Sequence, residues 1–203
     1  MTRFFLVRHA ESQWNAEGRW QGRGDPSLSP HGREQASIAV ERIRGEVDLI
    51  VASPQRRAVE TAEIIAGALG LGEVKTDDGL REIDVGEWTG LTMDEVKARW
   101  GAELEAWRAG ELAAPPGGED RMVFLERVLA ALDRLRQTHG DKRVLVVTHG
   151  GVIGRVERYL DRHPGRGSGN LTGRWFELDG ELLATSERIP LLPEPEVPAP
   201  ETR

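Results

Sequence analysis

The sequence predicts an α/β protein, a three-layer α/β/α sandwich whose central sheet is mixed and mostly parallel. Three observations predict it. Short apolar runs at 4–7 (FFLV), 48–52 (DLIVA) and 144–147 (VLVV) are the mark of strands covered on both faces. Longer segments of helical periodicity alternate with them, as a parallel sheet requires. Segments 175–178 and 182–185, joined through Asp179-Gly180, read as a terminal hairpin that makes the sheet mixed.

The helices have legible starts. Ser29-Pro30 and Ser53-Pro54 each place a capping hydroxyl before a proline suited to the first helical position. From Pro54, the residues Ala58, Ala62, Ile65, Ala66 and Leu69 form a helical stripe. Thr92-Met93-Asp94-Glu95 resembles a capping box opening a third helix. A fourth runs from about Glu119, with Met122, Leu125, Val128, Leu129, Leu132 and Leu135 on one face, and stops near His139-Gly140. Residues 1–189 therefore read as one domain. From Pro190 the chain carries five prolines and reads as an extended tail, 190–203.

Composition narrows the function. At 203 residues the chain is long enough for one substantial core and short for two. A net charge of -7 argues against a nucleic-acid binder, which needs a basic surface to displace counterions. It leaves room for a basic pocket that takes an anionic metabolite. No cysteine is present, which removes disulfides, zinc thiolates and thiol nucleophiles and fits a cytoplasmic protein. No apolar run approaches the roughly 20 residues that span a bilayer. MTRFFLVRHAES lacks the long apolar segment and cleavage site of a signal peptide and reads as a buried strand.

Two apolar strands end alike, FFLVRH at His9 and VLVVTHGG at His149. Ligands of open α/β sheets bind at the carboxyl ends of strands, so the two histidines can share one crevice. The third strand ends at Ser53-Pro54, with Arg57 on the first turn of its helix. A lone histidine at a strand end, or an arginine at a helix start, is ordinarily structural. Three strand ends converging on Arg8, His9, Arg57 and His149 point to an anion site, and on residues alone to no more. The acidic pairs Asp77-Asp78 and Asp94-Glu95 belong to a turn and a helix start. His31, His139 and His163 lack metal-ligand spacing and read as surface residues. No metal and no cofactor is expected.

The segment LVRHAESQWN around His9 resembles the signature of the histidine phosphatase superfamily, in its phosphoglycerate mutase-like branch. WQGRGDPSLSPHGREQA, SPQRRAVETA, LREIDVGEWTG, PPGGED and VVTHGGVIG follow in the family's order, so the resemblance spans about residues 4–155. It implies His9 as the nucleophile and Arg8 as its phosphate-binding neighbour. It picks Arg57, which precedes the alanine, over Arg56. His149 becomes the second phosphate-binding histidine and Glu82 the proton donor. The same blocks imply phosphate contacts from Asn15, Gln21, Gly22 and Gly150. Ala10 stands where many relatives carry glycine, and Gln55 where the family pattern has leucine.

On this resemblance the expected activity is metal-independent hydrolysis of small phosphate monoesters through a phosphohistidine on His9. A neutral imidazole can attack phosphorus without first losing a proton, and Arg8, Arg57 and a protonated His149 would keep His9 neutral. Burial and a dianionic substrate would raise the pKa of Glu82 so that it protonates the leaving alkoxide. The alternatives are a phosphoglycerate mutase and a non-catalytic phospho-ligand module. Mutases of this kind are longer in the middle, and binding relatives typically lose a catalytic residue. Substrate choice is expected to reside in a helical cap over the site, about 86–118, containing Trp88, Met93, Trp100 and Trp107, although Trp100 and Trp107 read first as helix packing. The expected partner is a small phosphate ester, with no nucleic acid and no membrane. Exposed edge strands would permit a homodimer.

Overall fold

The computed structural model describes residues 1–160, 168–179 and 181–193. His163, Gly180 and the tail beyond residue 193 lie outside the described residues. The chain runs β1 (Thr2–Arg8), the single turn α1 (Gln13–Ala16), α2 (Pro30–Ile43), β2 (Leu49–Ala52), α3 (Arg56–Leu69), β3 (Lys75–Thr76) and α4 (Met93–Ala109). It continues through α5 (Arg121–His139), β4 (Arg143–Thr148), α6 (Gly150–Tyr159), β5 (Thr172–Asp179), β6 (Glu181–Ala184) and β7 (Ile189–Pro190). One sheet holds all seven strands in the order β3-β2-β4-β1-β5-β6, with β7 also paired to β5. The four strands from β3 to β1 are parallel, and β5, β6 and β7 are antiparallel to their neighbours.

The unbroken apolar runs follow from burial on two faces. Along β1 and β4, Phe4, Leu6, Val144 and Val146 join one core with α4, α5 and α6. Phe5, Val7, Leu145 and Val147 point the other way, into a core with α2 and α3. Strand geometry sends alternate side chains to opposite faces, so a strand between two helical layers must be apolar at every position. The expected three-layer sandwich is what forms.

Several boundaries differ from the sequence reading. Ser29 caps α2 with its side chain as expected, and Thr92 and Glu95 form the capping box of α4. Ser53 does not cap α3, which starts at Arg56. Its amide continues the sheet ladder to the Val147 carbonyl, and its hydroxyl is engaged by His149. The cap comes from elsewhere: Asp25 Oδ1 accepts the Arg56 N–H at 2.6 Å. Met122, expected on the buried face of α5, is exposed together with Val123, and Phe124 carries the burial at that end of the helix. Pro190, expected to begin the tail, lies in β7, and the next residue, Leu191, is buried with its N–H on the Leu171 carbonyl.

A buried ion pair fixes α6 against the antiparallel half of the sheet. Glu157 is 0% exposed and accepts from Arg174 of β5 and from Arg188. Removing one partner of such a pair strands a buried charge, at a cost of several kcal/mol. Glu157→Ala is expected to lower the unfolding free energy by about 3 kcal/mol, read from urea denaturation. A loss below about 1 kcal/mol would mean that the arginines find water instead.

Candidate active site

Strand register assembles the site. In the β1–β4 pairing Arg8 lies opposite Thr148, and in the β2–β4 pairing Ala52 lies opposite Val147. The next residues, His9, His149 and Ser53, therefore leave three adjacent parallel strands together. The His9 N–H still reaches the Thr148 carbonyl at 2.9 Å, and the two imidazole centroids are 5.3 Å apart.

Partner chemistry sets the tautomer of His9. Its Nδ1 lies 2.6 Å from the Ala10 carbonyl oxygen, which can only accept. Its Nε2 lies 3.1 Å from Arg57 Nε, which can only donate. The ring proton therefore sits on Nδ1, and Nε2 carries a lone pair. Burial first, then the cations Arg57 and Arg8, hold the His9 pKa well below the usual histidine range.

Arg57 is 0% exposed and spans the floor of the site. Nη1 donates to the Gly24 carbonyl at 2.8 Å and Nη2 to that of Gly22 at 3.3 Å. Burial brings its pKa down to about 10, so it remains a cation at neutral pH. Arg8 donates to the Ser168 carbonyl at 2.6 Å. Among the described residues neither arginine forms an ion pair with a carboxylate. Two guanidinium charges satisfied by neutral carbonyls leave a net positive field for an anion.

Glu82 stands across the cavity, accepting from the Gly151 N–H at 3.0 Å and from the Ile83 N–H at 2.9 Å. Gly151 lies in the first turn of α6, and a Cβ there would lie 2.1 Å from Glu82 Oε1. Gly22 holds a φ of +46° beneath Val85, which leaves no room for a side chain. A cavity of about 690 Å³ collects these groups. Arg8, His9, Asn15, Gln21, Gly22, Arg57, Glu82 and Gly150, all expected from the sequence, line it. His149 does not. It is fully buried behind His9, with Nε2 on Ser53 Oγ at 2.8 Å and Nδ1 without a partner. The expectation of a protonated His149 fails, because burial, Arg57, His9 and Arg8 all press its pKa well below the usual range.

Residues beyond the expected phosphate contacts complete the site, and Arg127 and Asn170 among them had no sequence signal. Gln55 donates to the carbonyls of Gly22 and Gly24 and accepts the Glu82 N–H at 2.8 Å, bonds that the family's leucine could not make. Arg127 donates to the Glu82 carbonyl at 3.0 Å. Asn170 ties the His9 carbonyl to Asn15 Oδ1. Trp20, Met93 and Trp107 wall the cavity, whereas Trp88 is fully buried behind them and Trp100 packs on the core. Trp20, Trp88 and Trp107 contact one another edge to face, with centroids 5.5 to 5.9 Å apart. Residues of α4 thus cover the site, and Trp107 both packs and lines it.

Histidines held neutral by the fold make stability depend on pH. Each has a folded pKa below its ordinary value of 6.5, so its contribution is whole above that value and is lost as pH falls below it. The slope is at most about 1.4 kcal/mol per pH unit for each histidine. In urea titrations from pH 7 to 5, His149→Asn is expected to flatten the acid-side decline by up to that amount. Equal slopes in both proteins would rule out a neutral His149.

Residues 4–170 match the model of the histidine phosphatase superfamily (branch 1). Phosphoserine phosphatase 1 of Hydrogenobacter thermophilus is 38% identical over 151 residues, 73% of this chain and 71% of that one. The glucosyl-3-phosphoglycerate phosphatase of Mycolicibacterium vanbaalenii is 36% identical over 199 residues, covering 91% and 87%. A solved structure of Entamoeba histolytica phosphoserine phosphatase, with phosphoserine, superposes with a TM-score of 0.77 at 30% identity, covering 92% and 96%. With a match across most of its length, the chain belongs to the histidine phosphatase superfamily, branch 1.

Proposed function

We propose that this protein is a metal-independent phosphatase that hydrolyses phosphate monoesters of small metabolites through a phosphohistidine on His9. The observation that carries the reading is the neutral His9, its Nε2 lone pair held by Arg57 in a cavity where Arg8 and Arg57 rest on backbone carbonyls and not on carboxylates.

In the first step the Nε2 lone pair forms a bond to phosphorus as the bond from phosphorus to the ester oxygen breaks. Arg57 and Arg8 turn donors to the equatorial phosphoryl oxygens. Ser53 Oγ accepts the Gln55 N–H and pairs with His149 Nε2, which fixes the His149 ring beside His9. The transition state is loose, so this fixed positive field supplies most of the acceleration. Glu82 gives its proton to the departing alkoxide. In the second step Glu82, now ionised, takes a proton from water as the water oxygen attacks phosphorus and the N–P bond breaks. Orthophosphate leaves, and both groups return to their starting protonation. The relatives named as phosphatases favour hydrolysis over mutase chemistry.

The first test is phosphate release from a panel of metabolite phosphates and nitrophenyl phosphate, with EDTA present. Wild type is expected to hydrolyse several, and His9→Ala none. Loss of turnover with EDTA, restored by a divalent ion, would overturn the metal-independent reading. Interconversion of phosphoglycerates without hydrolysis would make the protein a mutase, and silence in both assays a binding module.

The role of Glu82 has a separate test in Gly151→Ala, whose new methyl displaces the carboxylate. Turnover of an alkyl phosphate is expected to fall about tenfold or more, part of what a general acid supplies. Nitrophenyl phosphate, whose leaving group needs no proton, should suffer much less. Equal losses on both substrates would remove Glu82 from the proton-donor role.

A further inference from the structure

Behind Trp107 lies a second cavity of about 200 Å³, lined by Ile83, Trp107, Phe124, Gly151 and four arginines, 108, 121, 155 and 158. Ile83, Trp107, Arg108 and Gly151 also line the cavity at His9, so the two spaces share a wall. Water occupies roughly 30 Å³ per molecule in the liquid, so the space is ample for a tetrahedral oxyanion.

The charges of this cavity are not balanced by the protein. Many arginines elsewhere on the surface pair with carboxylates, as Arg134 does with Asp77 and Arg143 with Asp48. Among the described residues none of these four makes an ion pair. Arg108 and Arg155 reach only the sulfurs of Met93 and Met122, and Arg158 only the carbonyl of Gly154. Arg121 lies over the Trp107 ring at 4.8 Å from its centroid. Arg155 Nε and Trp107 Nε1 are buried donors without partners. The neighbouring carboxylate, Asp120, already accepts the Met122 and Val123 N–H groups as the cap of α5. Burial and mutual repulsion press Arg121 and Arg155 below the ordinary arginine range, against the pull of Asp120. Assembling these cations costs free energy that a bound dianion would return.

We propose that Arg121, Arg155 and Arg158, with Arg108 at the shared wall, form a second phosphoryl-binding site beside the catalytic cavity. A substrate bearing two phosphoryl groups would seat one against His9 and the other here, a substrate class that rests on the hydrolytic reading above. Free inorganic phosphate is the other source of the same chemistry. Guanidinium forks suit a phosphoryl group because each offers paired donors to two oxygens.

The test combines binding with turnover in wild type and in the double variant Arg155→Gln/Arg158→Gln. Calorimetric titration with inorganic phosphate needs no activity, and is expected to give two sites per chain in wild type and one in the variant. The ratio of kcat/KM for a sugar bisphosphate to that for the matching monophosphate is then measured at fixed ionic strength. A ratio that falls by about a hundredfold, tenfold for each lost charged hydrogen bond, assigns the site to the substrate's own second group. Loss of the second calorimetric site with an unchanged ratio assigns it to a free anion. One phosphate site in both proteins, together with an unchanged ratio, overturns the proposal. Two sites without any hydrolysis would sustain this inference and refute the phosphatase reading alone. The ratio is internal to each protein, and a retained catalytic-site phosphate in calorimetry checks that the variant is folded.

Discussion

The parallel register of β2, β4 and β1 is the constraint on which the site depends. It sets His9, His149 and Ser53 at neighbouring strand ends, with both strand faces closed by helices. A slip of one residue would exchange the faces of every side chain in the strand and scatter the three groups. The enclosure that fixes the register also removes water, and dehydration keeps both imidazoles neutral. Arg57 survives the same burial as a cation because the Gly22 and Gly24 carbonyls satisfy its donors without cancelling its charge.

Carbonyls instead of carboxylates recur around the site. Arg8 rests on the carbonyl of Ser168, and Gln55 gathers those of Gly22 and Gly24 while also holding the backbone at Glu82. Glu82 is the only acidic side chain among those that line the catalytic cavity, in a protein whose net charge is -7. Acidic side chains other than Glu82 are thus kept off the cavity's lining. Field lines from an uncompensated cavity reach into solvent and raise the encounter rate with anions, an effect that salt screens. Beyond residue 193 the described structure ends, and among the described residues no helix is long and apolar enough to cross a membrane.

Much of this was legible in the residues because apolar runs and helical stripes report burial directly. The runs before His9 and His149 located the strands, and the resemblance around them named the residues that line the cavity. What escaped depends on contacts between elements that periodicity does not encode. Ser53 before Pro54 has the form of a helix cap, yet its hydroxyl meets only the Gln55 N–H ahead of the helix and the ring of His149. Gln55 looked like an incidental replacement of leucine until its three hydrogen bonds were visible. Met122 fits the spacing of the α5 stripe, but burial along that helix starts two residues later, at Phe124. The protonation of His149 was misjudged because its depth behind His9 cannot be read from a motif, and depth decides which form is favoured.

The mutual packing of Trp20, Trp88 and Trp107 gives the molecule an optical property. Indoles less than 6 Å apart, at angles of 66°, 68° and 88°, share their excited states instead of absorbing independently. Two of the three face the cavity at His9, and Trp107 also faces the arginine-lined space behind it. A molecule entering either space perturbs one member and thereby the whole set. The protein carries a built-in chromophore whose ultraviolet circular dichroism and emission respond to occupancy of its own cavities, with no label attached.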